Sequence, residues 1–274
     1  MIDRYAVLGN PIAHSLSPAI HQVFAEQTDQ AMSYEKFCVP VGDFKAFVTD
    51  YFKAGGKGVN VTVPFKEDAF HYADQVTERA KLAKAVNTLK RQDNGQIIGD
   101  NTDGEGLLQD LQQSQGWPLE QQRILIIGAG GAVRGILAPL LAAKPQQILI
   151  YNRTFAKSEQ LAKDFAPLAE LTELKAIESM PSFTMDMVIN GSAAGLTGQV
   201  MQLSAEAISE HTYCYDMVYG QTTTPFMQWA QKKGACNVVD GLGMLVHQAA
   251  VAFALWRGVE PDVGLVLRQL RRVK

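Results

Sequence analysis

The stretch RILIIGAGGAVRGILAPLLAAKPQQILIYNRT, residues 123–154, narrows the possible folds more than any other part of the chain. RILII and QILIY are short apolar β-type runs, and the segment between them reads as a helix opened by a glycine-rich turn. Such a strand–turn–helix–strand unit joins parallel strands. Gly128 and Gly130 take the first two glycine places of a dinucleotide-binding turn. There they permit a tight bend and a close approach of backbone to a pyrophosphate at the helix N-terminus. The third small place holds Val133 instead of Gly or Ala, which implies wider helix–strand packing or a variant turn. A glycine turn alone is weak evidence; the flanking strand and helix supply the context it needs.

The end of the second strand, YNRTFAK, bears on which dinucleotide binds. An NAD site places Asp or Glu there to accept hydrogen bonds from the ribose 2′-hydroxyl. This chain has Asn152, Arg153 and Thr154, with Lys157 one turn on. A guanidinium, a hydroxyl and an ammonium favour a 2′-phosphate, so the expected cofactor is NADP. Thr154 also suits a helix N-cap, a role compatible with phosphate binding.

Beyond this unit, strand-like and helix-like runs alternate: YAVLG, YEKFCV, VNVTV, MDMVIN, YCYDMV and CNVVD are β-type, while SPAIHQVFAEQ, DFKAFVTDYFKA and GLLQDLQQSQG are helical. The alternation predicts an α/β protein with mostly parallel sheets. At 274 residues the chain is long enough for about two domains. A boundary is expected in GWPLEQQ, giving a substrate domain over 1–115 and a Rossmann-type domain over 116–241. The helices of 242–274 would pack back onto the first domain. The net charge of −3 argues against a nucleic-acid partner. The most apolar helical run, 242–256, is short for a bilayer and contains His and Gln. Three scattered cysteines, Cys38, Cys214 and Cys236, form no metal spacing and fit a reducing cytoplasm; the five histidines show no ligand pattern, so no metal is expected.

GVNVTVPFK, residues 58–66, reads as one strand. Its odd positions, Val59, Val61, Val63 and Phe65, form an apolar face; its even positions, Asn60, Thr62, Pro64 and Lys66, form the other. A dehydrogenase needs a group that moves a proton while the nicotinamide moves a hydride, and Lys66 is a candidate. Asp103 in GDNTDGEG is a carboxylate able to hold that ammonium. The plainer alternatives are that Lys66 opens a polar helix and that Asp103 is a first-turn carboxylate behind a Thr102–Glu105 capping box.

HSLSPAIH, NVTVPFK, AVNTL, GDNTDG, GAGGA, YNRT, YDMVYG and DGLGMLVHQAA occur in this order between about residues 5 and 257. Together they resemble the shikimate dehydrogenase family. The resemblance implies that Lys66 and Asp103 form the catalytic pair. It implies that Ser15 and Ser17 hold a substrate carboxylate, with Thr62, Asn87, Tyr219 and Gln248 at the remaining substrate positions. It places NADP against Gly128, Ala129, Gly130, Gly131, Ala132, Asn152, Arg153, Thr154 and Lys157, with Met217 and Gly241 lining the nicotinamide. The substrate would be shikimate or 3-dehydroshikimate, bound in a cleft between the domains. Ser17 before Pro18 equally suits a helix N-cap. NGSAAGL, residues 190–196, departs from the Asn-Ala-Thr run more usual in the family. The competing readings are a quinate/shikimate enzyme with relaxed substrate or cofactor choice, and a non-catalytic NADP-sensing module on the same fold.

Overall fold

The alternating runs resolve into two six-stranded sheets, one in each of two units of chain. The computed structural model describes residues 2–192, 204–220 and 222–272. One unit comprises Met1–Gly106 and Val246–Lys274, the other Leu107–Leu245.

The first unit contains β1 (Asp3–Gly9), α1 (Ser17–Gln27), β2 (Met32–Cys38), α2 (Phe44–Lys53), β3 (Gly56–Val61), α3 (Lys66–Tyr72), β4 (Gln75–Val76), α4 (Glu78–Ala83), β5 (Thr88–Arg91) and β6 (Ile97–Asp100). α5 (Asp103–Gln109) starts in this unit and runs across the division. The strand order is β2-β1-β3-β5-β6-β4. β1 pairs in parallel with β2 and β3, but β5 is antiparallel to both β3 and β6. The sheet is therefore mixed. The antiparallel pair turns through Asn94-Gly95, closed by Gln92 N donating to Gln96 O at 2.8 Å. An Asn-Gly between TLKR and IIGD is a hairpin signal that the alternating pattern had hidden. On α2 the buried residues are Phe44, Val48, Tyr51 and Phe52, a helical stripe that joins Leu8, Val59, Val61 and Leu89 in one core.

The second unit contains β7 (Arg123–Ile127), α6 (Gly131–Ala142), β8 (Gln147–Tyr151), α7 (Phe155–Phe165), β9 (Glu173–Ile177), β10 (Met187–Asn190), β11 (Tyr213–Asp216), α8 (Pro225–Lys232) and β12 (Asn237–Asp240). All its ladders are parallel, in the order β12-β11-β10-β7-β8-β9. Numbered within the unit, this is the 3-2-1-4-5-6 order of the Rossmann fold. α6 buries Val133, Ile136, Leu137, Leu140 and Leu141 on one stripe.

α9 (Leu242–Arg257) starts in the second unit and continues in the first, where α10 (Val263–Arg272) follows it. Within the first unit, Trp256 Nε1 donates to Leu89 O at 3.1 Å, and Arg257 pairs with Asp3. The division between units falls upstream of the expected GWPLEQQ linker. That segment is not a solvated joint: Trp117 and Leu119 are buried, and Trp117 stacks on Tyr213 at 4.8 Å. Its apolar residues, together with the Tyr215 hydroxyl that donates to Asp110 at 2.6 Å, place 107–122 with the second sheet.

Candidate active site

The strand expected over 58–66 ends at Val61. Thr62–Phe65 form a turn, closed by Phe65 N donating to Thr62 O at 3.0 Å, and Val63 is 67% exposed. Pro64 has no N–H with which to continue a ladder, so the strand cannot run on to Lys66 although the apolar alternation does. Lys66 is thus the first residue of α3, not the last of a strand. This helix start aims the lysine at the first turn of α5. Lys66 Nζ donates to Asp103 Oδ2 at 2.5 Å, with the two side chains 27% and 13% exposed.

Asp103 is fixed from three sides. Its second oxygen accepts from Asn87 Nδ2 at 2.8 Å, and its own N–H donates to Asn101 Oδ1 at 3.1 Å. Asn87 Oδ1 accepts from Thr102 N at 2.9 Å, while Gln248 Oε1 of α9 lies 3.3 Å from both Asn87 Nδ2 and Thr102 Oγ1. The turn that carries these groups is anchored at Asp100. That buried carboxylate accepts from Arg79 Nε and Nη2 at 2.7 and 2.5 Å and from Thr77 Oγ1 at 2.6 Å. Burial pushes its pKa up, but the bonds from Arg79 and Thr77 outweigh it and hold the carboxyl below its usual value.

Ser15 and Ser17 stand at the start of α1. The N-cap position belongs to Leu16, so Ser17 is the first helical residue instead of the cap; Ser15 Oγ accepts from Ser17 N at 3.3 Å. Thr62, half-buried, sits in the turn before Lys66. The first unit therefore gathers Lys66, Asp103, Asn87 and Gln248 into one bonded cluster. Thr88 and Asn101 join that network without having been singled out from the sequence; Asn60, expected on the polar face of 58–66, and Thr102, read only as a capping residue, join it as well. The neighbours of Asn87 and Asp103 in NVTV, AVNT and GDNT were the available signal.

In the second unit the glycine turn follows β7. Gly128 has φ +113°, a conformation that favours glycine, and a Cβ there would stand 3.1 Å from Gly191 C. Among the described residues, added Cβ atoms at Gly130 or Gly131 would meet nothing within 4 Å, and no side chain caps the N-terminus of α6. Open space in front of uncapped helical N–H groups fits a pyrophosphate. Val133 finds its room at Gly191, where a Cβ would stand 2.5 Å from Val133 Cγ2. The two departures from the usual pattern therefore match each other. Residues 193–196 of NGSAAGL lie outside the described residues.

Asn152 Nδ2 donates to Thr154 O at 2.8 Å in the loop between β8 and α7. Thr154 occupies the N-cap position, but its side chain makes no cap hydrogen bond. Arg153 and Lys157 are exposed, and neither side chain has an ion-pair partner among the described residues. Three donors are thus available at the strand end where a 2′-phosphate would lie. Met217 follows β11 in a turn held by Asp216, which accepts from Asn190 Nδ2 at 3.0 Å, Thr224 Oγ1 at 2.5 Å and Val218 N at 3.1 Å. Burial raises the pKa of this carboxyl despite those donors. Gly241 packs on the Met217 backbone, where a Cβ would come within 2.3 Å of Met217 O. Tyr219, in the same turn, is half-buried, and burial raises the pKa of its phenol.

A Rossmann sheet with an open glycine turn, in a chain that also holds a lysine–carboxylate pair, marks a nicotinamide-dependent oxidoreductase. Comparison with known proteins gives the family. The shikimate dehydrogenase (NADP(+)) of Photobacterium profundum is 52% identical over 272 residues, covering 99% of each chain. The chain belongs to the shikimate dehydrogenase family. Family models match in three pieces: the shikimate dehydrogenase substrate-binding domain at 7–89, shikimate/quinate 5-dehydrogenase at 110–222, and the shikimate 5′-dehydrogenase C-terminal domain at 241–271. Among solved structures, an Ael1 enzyme from Pseudomonas putida superposes with a TM-score of 0.91 at 43% identity, over 98% of both chains. Shikimate 5-dehydrogenase from Thermus thermophilus in complex with NADP(H) and shikimate gives 0.88 at 35% identity, over 100% of both.

Proposed function

We propose that the protein catalyses the reversible, NADPH-dependent reduction of 3-dehydroshikimate to shikimate, a step of aromatic amino-acid biosynthesis. The observation that carries this reading is the Lys66–Asp103 pair, braced by Asn87 on the oxygen that Lys66 leaves free. Lys66 Nζ delivers a proton to the substrate oxygen at C3 during reduction and takes it back during oxidation. Asp103 holds the ammonium in place and stabilises its charge. Ser15 and Ser17 bind the substrate carboxylate, and Thr62, Asn87, Gln248 and Tyr219 bind the rest of the molecule. NADP, when bound, supplies or accepts the hydride. The backbone of Gly128, Ala129, Gly130, Gly131 and Ala132 would hold its pyrophosphate. Asn152, Arg153, Thr154 and Lys157 would hold its adenosine end with the 2′-phosphate, and Met217 and Gly241 would line the nicotinamide.

No helix among the described residues is long and apolar enough to cross a membrane. Cys38, Cys214 and Cys236 are free thiols, which supports placement in a reducing cytoplasm.

Turnover of 3-dehydroshikimate with NADPH, followed as loss of nicotinamide absorbance, tests the reading. Shikimate oxidation with NADP should far exceed quinate oxidation in kcat/KM. Comparable values for the two acids would favour a relaxed quinate/shikimate enzyme. NADP binding without turnover would favour a sensor.

A further inference from the structure

We propose that Thr88, with Tyr34 behind it, is a positioning residue for the acid–base pair; this rests on the dehydrogenase reading above. Thr88 opens β5 and is fully buried, opposite Asn60 of β3 and Asp100 of β6. Its hydroxyl accepts from Asn60 Nδ2 at 3.0 Å and donates to Asn87 Oδ1 at 2.9 Å. Backbone groups fix the direction of these bonds. Thr102 N–H can only donate, so the Asn87 atom it meets is the carbonyl oxygen, and the Asn87 amide nitrogen is turned onto Asp103. The carbonyl of Asn87 can only accept; it lies 3.3 Å from Asn60 Nδ2, so Asn60 Oδ1 faces the other way and receives the Tyr34 hydroxyl at 2.7 Å.

The donors therefore run one way, from Tyr34 through Asn60, Thr88 and Asn87 to the carboxylate that holds Lys66. Tyr34 is in turn held flat against His21, whose ring stacks on it at 4.2 Å with an interplanar angle of 9°. Burial lowers the His21 pKa to about 3, so the stack stays uncharged. Burial raises the pKa of the Tyr34 phenol well above its ordinary value, only partly offset by the Ser17 hydroxyl, so the phenol stays protonated and donates. Tyr34 begins the chain of donors that ends at the proton-transfer pair. Tyr34, Asn60, Thr88 and Asn87 each find a partner in this buried network, which holds its members in one geometry. If Thr88 only filled space, valine would serve nearly as well.

Three variants test this: Thr88→Val, Thr88→Ser and Tyr34→Phe. Each is read by kcat and KM, and by the NMR signals of the Asn87 side-chain amide, which need no turnover. Thr88→Val should lower kcat by roughly 10–100-fold, since a displacement of about 1 Å can cost about 10²-fold. KM for NADPH should stay unchanged and the Asn87 signals should shift or broaden. Thr88→Ser, which keeps the hydroxyl, should restore most of kcat and the signals, and Tyr34→Phe should show a smaller loss in the same direction. Wild-type kcat and unmoved Asn87 signals in Thr88→Val would overturn the proposal. So would a fall in melting temperature alone. Should Thr88→Val not fold, unmoved signals and kcat in Tyr34→Phe overturn it equally. A wild type that does not turn over 3-dehydroshikimate defeats the dehydrogenase reading separately, and the Asn87 signals still decide the positioning.

Discussion

The two halves of the chemistry are prepared in opposite ways. In the first unit, Lys66, Asp103, Asn87 and Gln248 are already bonded to one another, and each faces a partner supplied by the chain. In the second, among the described residues, Arg153 and Lys157 are exposed without ion-pair partners and no atom stands within 4 Å of a Cβ added at Gly130 or Gly131. A group that must transfer a proton benefits from being held beforehand, because freezing it during the reaction would add to the barrier. Groups that recognise a charged ligand do better without an internal competitor for their donors.

The sharpest way to break the comparison is at the proton-transfer pair. Lys66→Ala should lower kcat by roughly 10²–10⁴-fold, the usual worth of a positioned acid–base group, with a much smaller change in substrate KM. Near-normal turnover would make the pair structural. The next largest effect should fall on the open side. The wild type should prefer NADP over NAD by about two orders of magnitude or more in kcat/KM, each factor of ten being about 1.4 kcal/mol. Arg153→Ala should erase most of that preference through KM for NADP and leave NAD nearly untouched. The preference should also fade as salt rises, because an exposed charge pair is screened. A loss shared equally by both cofactors would contradict the role given to Arg153.

Arg79→Ala probes the anchor behind the bonded site. Asp100 is held below the usual carboxylate pKa, so its contribution to stability is present above the unfolded value and is lost as pH falls through the lower folded value. Without Arg79 burial dominates and lifts the folded pKa of Asp100 above the unfolded one, so in the variant this carboxylate costs stability near neutrality, and that cost should fade as pH falls through the raised value. Urea unfolding between about pH 3 and 7 should show the variant weakened by about 2–3 kcal/mol near neutrality. That is less than for a fully buried pair, because the Arg79 side chain is 33% exposed. An unchanged pH dependence would remove Asp100 from this role. The smallest effect should come from the wall of the glycine turn. Gly191→Ala places a methyl against Val133 and should cost about 1–3 kcal/mol by overpacking. Adding Val133→Ala should recover part of it, a coupling that a double-mutant cycle measures. Additive costs would mean that the two departures are unrelated.

Not all of this was equally legible. The βαβ unit of 123–154 stood out because strand periodicity, glycine turns and helical stripes are local patterns. The mixed sheet did not, although Asn94-Gly95 carried its signal, because short strands with polar residues blend into the loops around them. GVNVTVPFK misled for a related reason: alternation continues through Val63 and Phe65 after the ladder has stopped, and only the missing N–H of Pro64 hints at the break.

The sequence by itself determined the Rossmann unit, the absence of an acid after QILIY that points to NADP, and the identities of Lys66 and Asp103 as groups able to move and hold a proton. Only the tertiary structure decided that these two meet across 37 positions of chain, that Asn87 braces the pair, and that Thr88 and Asn60 stand behind Asn87. Residue type fixes what a side chain can donate or accept. Which buried partner it finds depends on how strands far apart in sequence pair, since burial leaves a polar group only the partners that the fold brings to it.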